Sequence, residues 1–252
     1  MHDSKRRSWV HRKTYIVAPL VLVGCALVSG TLLAGPTGAA GVKGKVAGWE
    51  KLIPQTYAEA AADPHRYTWR EPSPTVKQDF RKLSANVSRD VCVVAIGAAA
   101  AQAHEPIAVK LTGGRLTPST LVLSPGSRLS FKNEDPFPHQ LYEVGDDKWA
   151  ANPTAPGSTR EWAAPGPGLH VIRDQLFPSV VMYVQVDPNA AEFAMPDRDG
   201  AFAMAVPPGD YTLKVFFEGK QVGKSLDGVH VGAGGLDLRD PLSVTGGGSE
   251  SK

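Results

Sequence analysis

Residues 121–142 read LVLSPGSRLSFKNEDPFPHQLY, and their pattern decides the fold class. An apolar run, Ser119 to Leu123, ends at Ser124-Pro125-Gly126-Ser127, where proline and glycine supply turn geometry. Arg128 to Lys132 then alternates, placing Leu129 and Phe131 on one face. Asn133-Glu134-Asp135-Pro136 bends the chain, and His139 to Val144 resumes the extended pattern. Runs this short, with turn residues between them, have the period of strands and not of helices.

The same punctuation continues on both sides. Downstream, a Gly/Pro/Asn loop covers Gly145 to Ser158, followed by strand signals at Thr159 to Ala163, Gly168 to Arg173 and Val180 to Val186. Gly200 to Ala205, Tyr211 to Phe217 and Val229 to Val231 form a second run of strands. Upstream, Ile107 to Leu111 alternates before a Gly113-Gly114 turn. Val91 to Ile96 is continuously apolar and closed by Gly97, the mark of a central strand. Ala98 to Ala103 reads as a small-residue connector. Val42 to Val46 alternates as a first strand. Between it and Val91, Lys51 to Ser88 is polar and proline-rich, a surface excursion with one helical turn expected near Val76 to Leu83.

The late strands carry their own logic. Asp199-Gly200 suits the positive φ of a hairpin turn, and Pro207-Pro208-Gly209 is a rigid bend where Gly209 is also expected at positive φ. Tyr211, Leu213 and Val215 alternate with polar neighbours and predict an inward face. The 26 glycines and 21 prolines of the 252 residues fit an all-β chain rich in turns.

The net charge of +2 is concentrated at the N-terminus, so the body lacks the basic patch that nucleic acid requires. Lys5, Arg6, Arg7, Arg12 and Lys13 precede an uncharged apolar stretch from Tyr15 to Ala34. Twenty such residues in a helix cover about 30 Å, the thickness of the hydrocarbon core. Basic residues before such a run hold it with the N-terminus inside, which exports everything after it. The expectation is a single-pass protein of the bacterial inner membrane with its body in the periplasm. Two alternatives stay open: cleavage after Gly38-Ala39-Ala40, or lipidation of Cys25 within Leu22-Val23-Gly24-Cys25. Cys25 in the leader and Cys92 in a buried strand are the only cysteines, so neither a disulfide nor a Cys-based structural metal site is expected.

Residues 121–142 resemble the first half of a cupredoxin, in which a v-x-x-G-d-x-V-x-F-x-N-x-D strand pair leads to a ligand histidine. His139 falls on that position. Asp187 to Phe217, with DRDGAF at 197–202 and VPPGDYTL at 206–213, resembles a carboxypeptidase regulatory-like domain of the transthyretin-like type. Together they resemble bacterial hybrids of methylamine-utilisation or plastocyanin-like type. The resemblance implies a Greek-key β-sandwich in which a cupredoxin-like segment is inserted in, or fused to, a regulatory-like sandwich, behind a transmembrane helix. It divides the chain into a basic segment at 1–13, an anchor or signal at 14–35, early regulatory-like strands and a long loop at 41–105, the cupredoxin-like segment at 106–187, late regulatory-like strands at 188–235 and a flexible tail at 236–252. Gly200, Pro207, Pro208, Gly209 and Tyr211 carry the regulatory-like motif, which speaks to fold and is silent about activity.

Type 1 copper uses two histidines, a cysteine thiolate and a weak axial methionine. The resemblance places the late ligands on a C-x-x-H-P-x-M loop, and this chain has Asp174, Phe177 and Val180 there, around Pro178. Only His139 remains of four ligands, so blue-copper electron transfer is not expected. A weaker copper or zinc site from His139, His170 and Asp174 is the rival reading. Its alternative has His139 bonded to backbone and Asp174 paired with Arg173 or Arg160.

No catalytic set stands out. Ser127, His139 and Asp135 are near in sequence, but nothing like a nucleophile elbow surrounds Ser127, and Glu134 and Asp135 read as turn caps. His65, His104 and His230 lack ligand spacing. Tyr57, Tyr67, Trp69, Trp149 and Trp162 are either loop anchors or part of a contact surface. The expectation is a non-enzymatic interaction module whose partner is another envelope protein or a carbohydrate, with no cofactor; a metalloprotein or an accessory subunit of a respiratory or envelope complex are the alternatives. A reporter active only outside the cytoplasm, fused after Lys252, is expected to be active; a stably expressed but inactive fusion would remove the export reading.

Overall fold

The structure is a computed structural model that describes residues 40–55, 85–98 and 105–245. The leader, Cys25, His65, His104, the expected turn at 76–83 and the aromatics Tyr57, Tyr67 and Trp69 lie outside them. No helix among the described residues is long and apolar enough to cross a membrane. The early strands are β1 (Ala40–Ala47), β2 (Val91–Gly97), β3 (Ile107–Leu111), β4 (Leu116–Thr117), β5 (Thr120–Leu123) and β6 (Arg128–Asn133). They are followed by β7 (His139–Glu143), β8 (Asn152–Thr154), β9 (Thr159–Ala163), β10 (Gly168–Asp174) and β11 (Val181–Val186). The last are β12 (Ala190–Ala194), β13 (Ala201–Val206), β14 (Gly209–Phe217), β15 (Lys220–Val231), β16 (Leu236–Asp237) and β17 (Leu242–Ser243). The described residues are all-β apart from single helical turns such as Val87–Asp90.

Four sheets result. Two are built wholly from β3 to β11, in the orders β5-β11-β10-β7-β8 and β4-β3-β6-β9. The other two, β13-β1-β16 with β17 on β1, and β12-β2-β14-β15, take strands from either side of that block. The continuous apolar run at 91–96 explains how they pack. Val91, Val93 and Ala95 face one core together with Val42, Val46, Leu213 and Val231. Cys92 and Val94, from the same strand, face a second core with Leu121, Phe131, Leu141 and Met182. The sheet containing β2 is thus a wall with hydrophobic cores on both faces, which is why β2 has no polar residue. In β6, Leu129 and Phe131 are buried while Arg128 and Lys132 are exposed, as the alternation requires.

Several elements differ from the sequence reading. β4 follows the Gly113-Gly114 turn in a stretch given no strand, β8 lies in the stretch read as a loop, and β12, sequence AAEFA, lies in a stretch with no strand signal. These strands are short, and their pairing is decided by neighbours rather than by local propensity. Residues 236–245 do not belong to a loose tail, because β16 and β17 pair in parallel with β1. The Gly209 expectation also fails. Its φ is not positive, and a side chain there would meet the Tyr211 ring at an ordinary 3.6 Å. Tyr211 itself is buried, and its hydroxyl donates to the Pro207 carbonyl at 2.8 Å, closing the bend that the two prolines begin.

Of Gly200 and Gly209, it is Gly200 that the backbone requires to be glycine. Its φ is 83°, and a Cβ would stand 2.5 Å from the Val46 carbonyl oxygen. Gly200→Ala should therefore destabilise by roughly 1–3 kcal/mol, whereas Gly209→Ala should stay within about 0.5 kcal/mol of wild type. Urea melts of the two variants would check this; equal effects would contradict the backbone assignment.

Candidate functional site

His139 opens β7 and Asp174 ends β10. The antiparallel ladder sets Asp174 opposite Leu141, so the two side chains are diagonal neighbours on the inward face. His139 is 0% exposed. Its Nδ1 lies 2.8 Å from Asp174 Oδ2, and its Nε2 lies 3.1 Å from Asp135 Oδ2. Phe137 and Phe177 close the remaining faces, with ring centroids 5.1 and 4.9 Å from the imidazole. These groups come from strand ends and adjoining loops at the same end of the sheets. Asn133 shapes one of them, donating to the carbonyls of Phe137 and Thr154 while accepting from the Asp135 amide.

Both carboxylates are held by backbone amides. Asp135 accepts from Gly113 and Gly114 at 2.6 and 2.9 Å. Asp174 accepts from Leu176 and Phe177 through Oδ1 and from Gln140 through Oδ2. Burial pushes the Asp135 pKa up, but the amides of Gly114 and Gly113 and the adjacent His139 outweigh it and hold the group below its ordinary value. A carboxyl depressed on folding adds stability above its unfolded pKa and loses it as pH falls through the folded one. Thr154, opposite His139 across β7 and β8, has the one buried side-chain polar atom without a hydrogen bond among the described residues.

His170 does not join this group. Its Nδ1 pairs with Glu143 Oε1 at 2.5 Å and its Nε2 with the Gly166 carbonyl at 2.8 Å. Trp162 donates to the other Glu143 oxygen. Four strand positions separate His170 from Asp174, about 13 Å of extended chain. Arg160 does not reach Asp174 either: it donates to the carbonyls of Leu141 and Ala150 and stacks on Trp149. Arg173 points outward and is exposed. His230 is exposed beside Asp210. Ser127 pairs with Ser124 and has no histidine neighbour.

These residues do not fit a copper or zinc ion. Asp135 and Asp174 address different ring nitrogens, so an ion beside either nitrogen would find one imidazole and one carboxylate, short of the four donors such ions require. No group of three or more histidine, cysteine, aspartate or glutamate side chains among the described residues could hold a metal. Cys92 is on β2, in the wall between the cores. Burial pushes its thiol up to about 12, with a Val122 backbone hydrogen bond opposing and Glu192 adding to the rise. It supplies no thiolate near neutral pH.

Asp135 is the residue that the sequence reading undervalued. It caps a turn as expected, but the turn is the distant Gly113-Gly114, and its second oxygen reaches histidine. Nothing in the 135–139 spacing announces a partner in another sheet.

No protein-family model matches the chain, and no curated protein matches it. Among solved structures, the oxidized state of an amicyanin mutant is 17% identical over 32% of this chain and 82% of its own, with a TM-score of 0.30. A copper-containing nitrite reductase from Thermus scotoductus is 22% identical over 36% of this chain and 25% of its own, TM-score 0.29. A purple cupredoxin from Nitrosopumilus maritimus is 18% identical over 32% of this chain and 99% of its own, TM-score 0.28.

Adding Cu(II) to the purified full-length protein should give no intense visible thiolate-to-copper band. Such a band would overturn the assignment of Asp174 and Cys92 given above.

Proposed function

We propose that this protein is a membrane-anchored periplasmic module that binds another envelope protein, and that its sandwich is a regulatory-like frame carrying a cupredoxin-like insert. The observation that carries the binding reading is an apolar row on the outer face of the β5-β11-β10-β7-β8 sheet. The Val144 amide donates to the Val171 carbonyl, so the end of β7 and β10 contribute one row. Leu169 lies next to it on the same face. Val144 and Leu169 are 51% and 46% exposed, large values for aliphatic side chains on a sheet that is otherwise well packed. An apolar row of this kind, with Arg173 and Gln185 around it, suits a protein partner more than a sugar, which prefers aromatic faces and polar rims.

The leader charges support the anchored, exported placement. The positive φ at Gly200 and the Tyr211–Pro207 bond support the regulatory-like frame.

Val144→Asp combined with Leu169→Asp should leave the thermal melt close to wild type and reduce capture of a specific envelope protein from detergent-solubilised membranes by tenfold or more. Unchanged capture would move the contact surface elsewhere. Binding to a glycan array by wild type, with no protein captured, would replace the partner class.

A further inference from the structure

We propose that His139 is held doubly protonated, and that Asp135, His139 and Asp174 form a charged clasp that fastens three loops without a metal ion. The inference concerns the interior and holds whichever partner the outer face binds.

Hydrogen-bond accounting leads to it. An ionised carboxylate only accepts, while a neutral imidazole has one donor and one acceptor nitrogen. Five backbone amides point at the two carboxylates, those of Gly113, Gly114, Gln140, Leu176 and Phe177. Amide donors favour the ionised form of a carboxylic acid. With both acids ionised, each ring nitrogen of His139 faces an acceptor, at 2.8 and 3.1 Å, and must bring a proton of its own. A neutral ring would leave two lone pairs in contact at one side, in a site that is 0% exposed at the histidine. Two carboxylates and one imidazolium leave a single negative charge, which the amides stabilise.

The connections give the clasp its role. Asp135 sits between β6 and β7 and grips the turn between β3 and β4, which belongs to the other sheet. Asp174 grips the loop between β10 and β11 through Leu176 and Phe177. His139 joins the two carboxylates. The three loops of one end are thereby tied through one ring, at the residue where the cupredoxin resemblance places a copper ligand. A protein cation stands there in place of an ion.

The test uses the full chain in detergent with isotope-labelled histidine. The His139 signal is identified by its proximity to the Phe137 and Phe177 rings. Near neutral pH both its ring nitrogens should show imidazolium shifts and carry slowly exchanging protons. One protonated and one bare nitrogen would overturn the proposal. In parallel, His139→Gln and Asp174→Asn should each lower Tm by roughly 10 °C, and the double variant should lose clearly less than the sum. Additive losses would overturn the clasp. So would a rise in wild-type Tm with Cu(II) or Zn(II) that His139→Gln lacks, since the residues would then be metal ligands. If the variants do not fold, the ring-nitrogen spectrum of the wild type still decides. None of these readouts depends on the binding partner.

Discussion

Burial of β2 on both faces is the constraint from which the rest of the architecture follows. A strand whose every side chain is apolar must find a core on each side, and one sandwich supplies only one. The chain meets this by setting the block of residues 107–186, through β5, against one face and placing the β1-containing sheet against the other. Fully burying an aliphatic side chain stabilises by about 1.5–3 kcal/mol, so the alternating sequence VCVVA contributes to both cores at once. The cost is that neither face can be altered alone without the shared strand registering it.

The loops at the His139 end answer a different problem. They bring polar groups to the edge of an apolar core, where an unpaired charge is strongly penalised and a satisfied network is rigid. Asp135, His139 and Asp174 occupy that position with nearly every lone pair and proton engaged, and two phenylalanines keep the group dry. The neighbouring His170–Glu143–Trp162 set follows the same rule on the inward face of the same sheet. Histidine here is matched to acids by packing.

Legibility in the sequence tracked how far each feature depends on its own residues. Alternation in β6 and the unbroken run in β2 are local, and both are evident from side-chain order alone. The partial closeness of His139 and Asp174 could be read from the late-loop alignment around Pro178. The attachment of Asp135 to Gly113 and Gly114 could not, because it depends on two sheets meeting at one end. β12 was hidden for a similar reason: alanine has little strand preference, and AAEFA is extended because β2 lies beside it. The conformation of Gly209 was misjudged because two prolines suggest a turn that the Tyr211 hydroxyl instead closes from outside.

The position of β1 in its sheet has a consequence for the order of events during synthesis. Among the described residues its strand partners are β13, β16 and β17, all supplied by residues beyond 200. The ribosome delivers β1 long before any of them. The block from β3 to β11, whose two sheets are self-contained, is complete well before then. The sheet around β1 therefore cannot be completed, and its edges cannot be covered by β13, β16 and β17, until the last strands have been made. A premature stop after β12 would release a molecule with one finished core and one exposed face of β2, and such a fragment would be prone to pairing with its own copies.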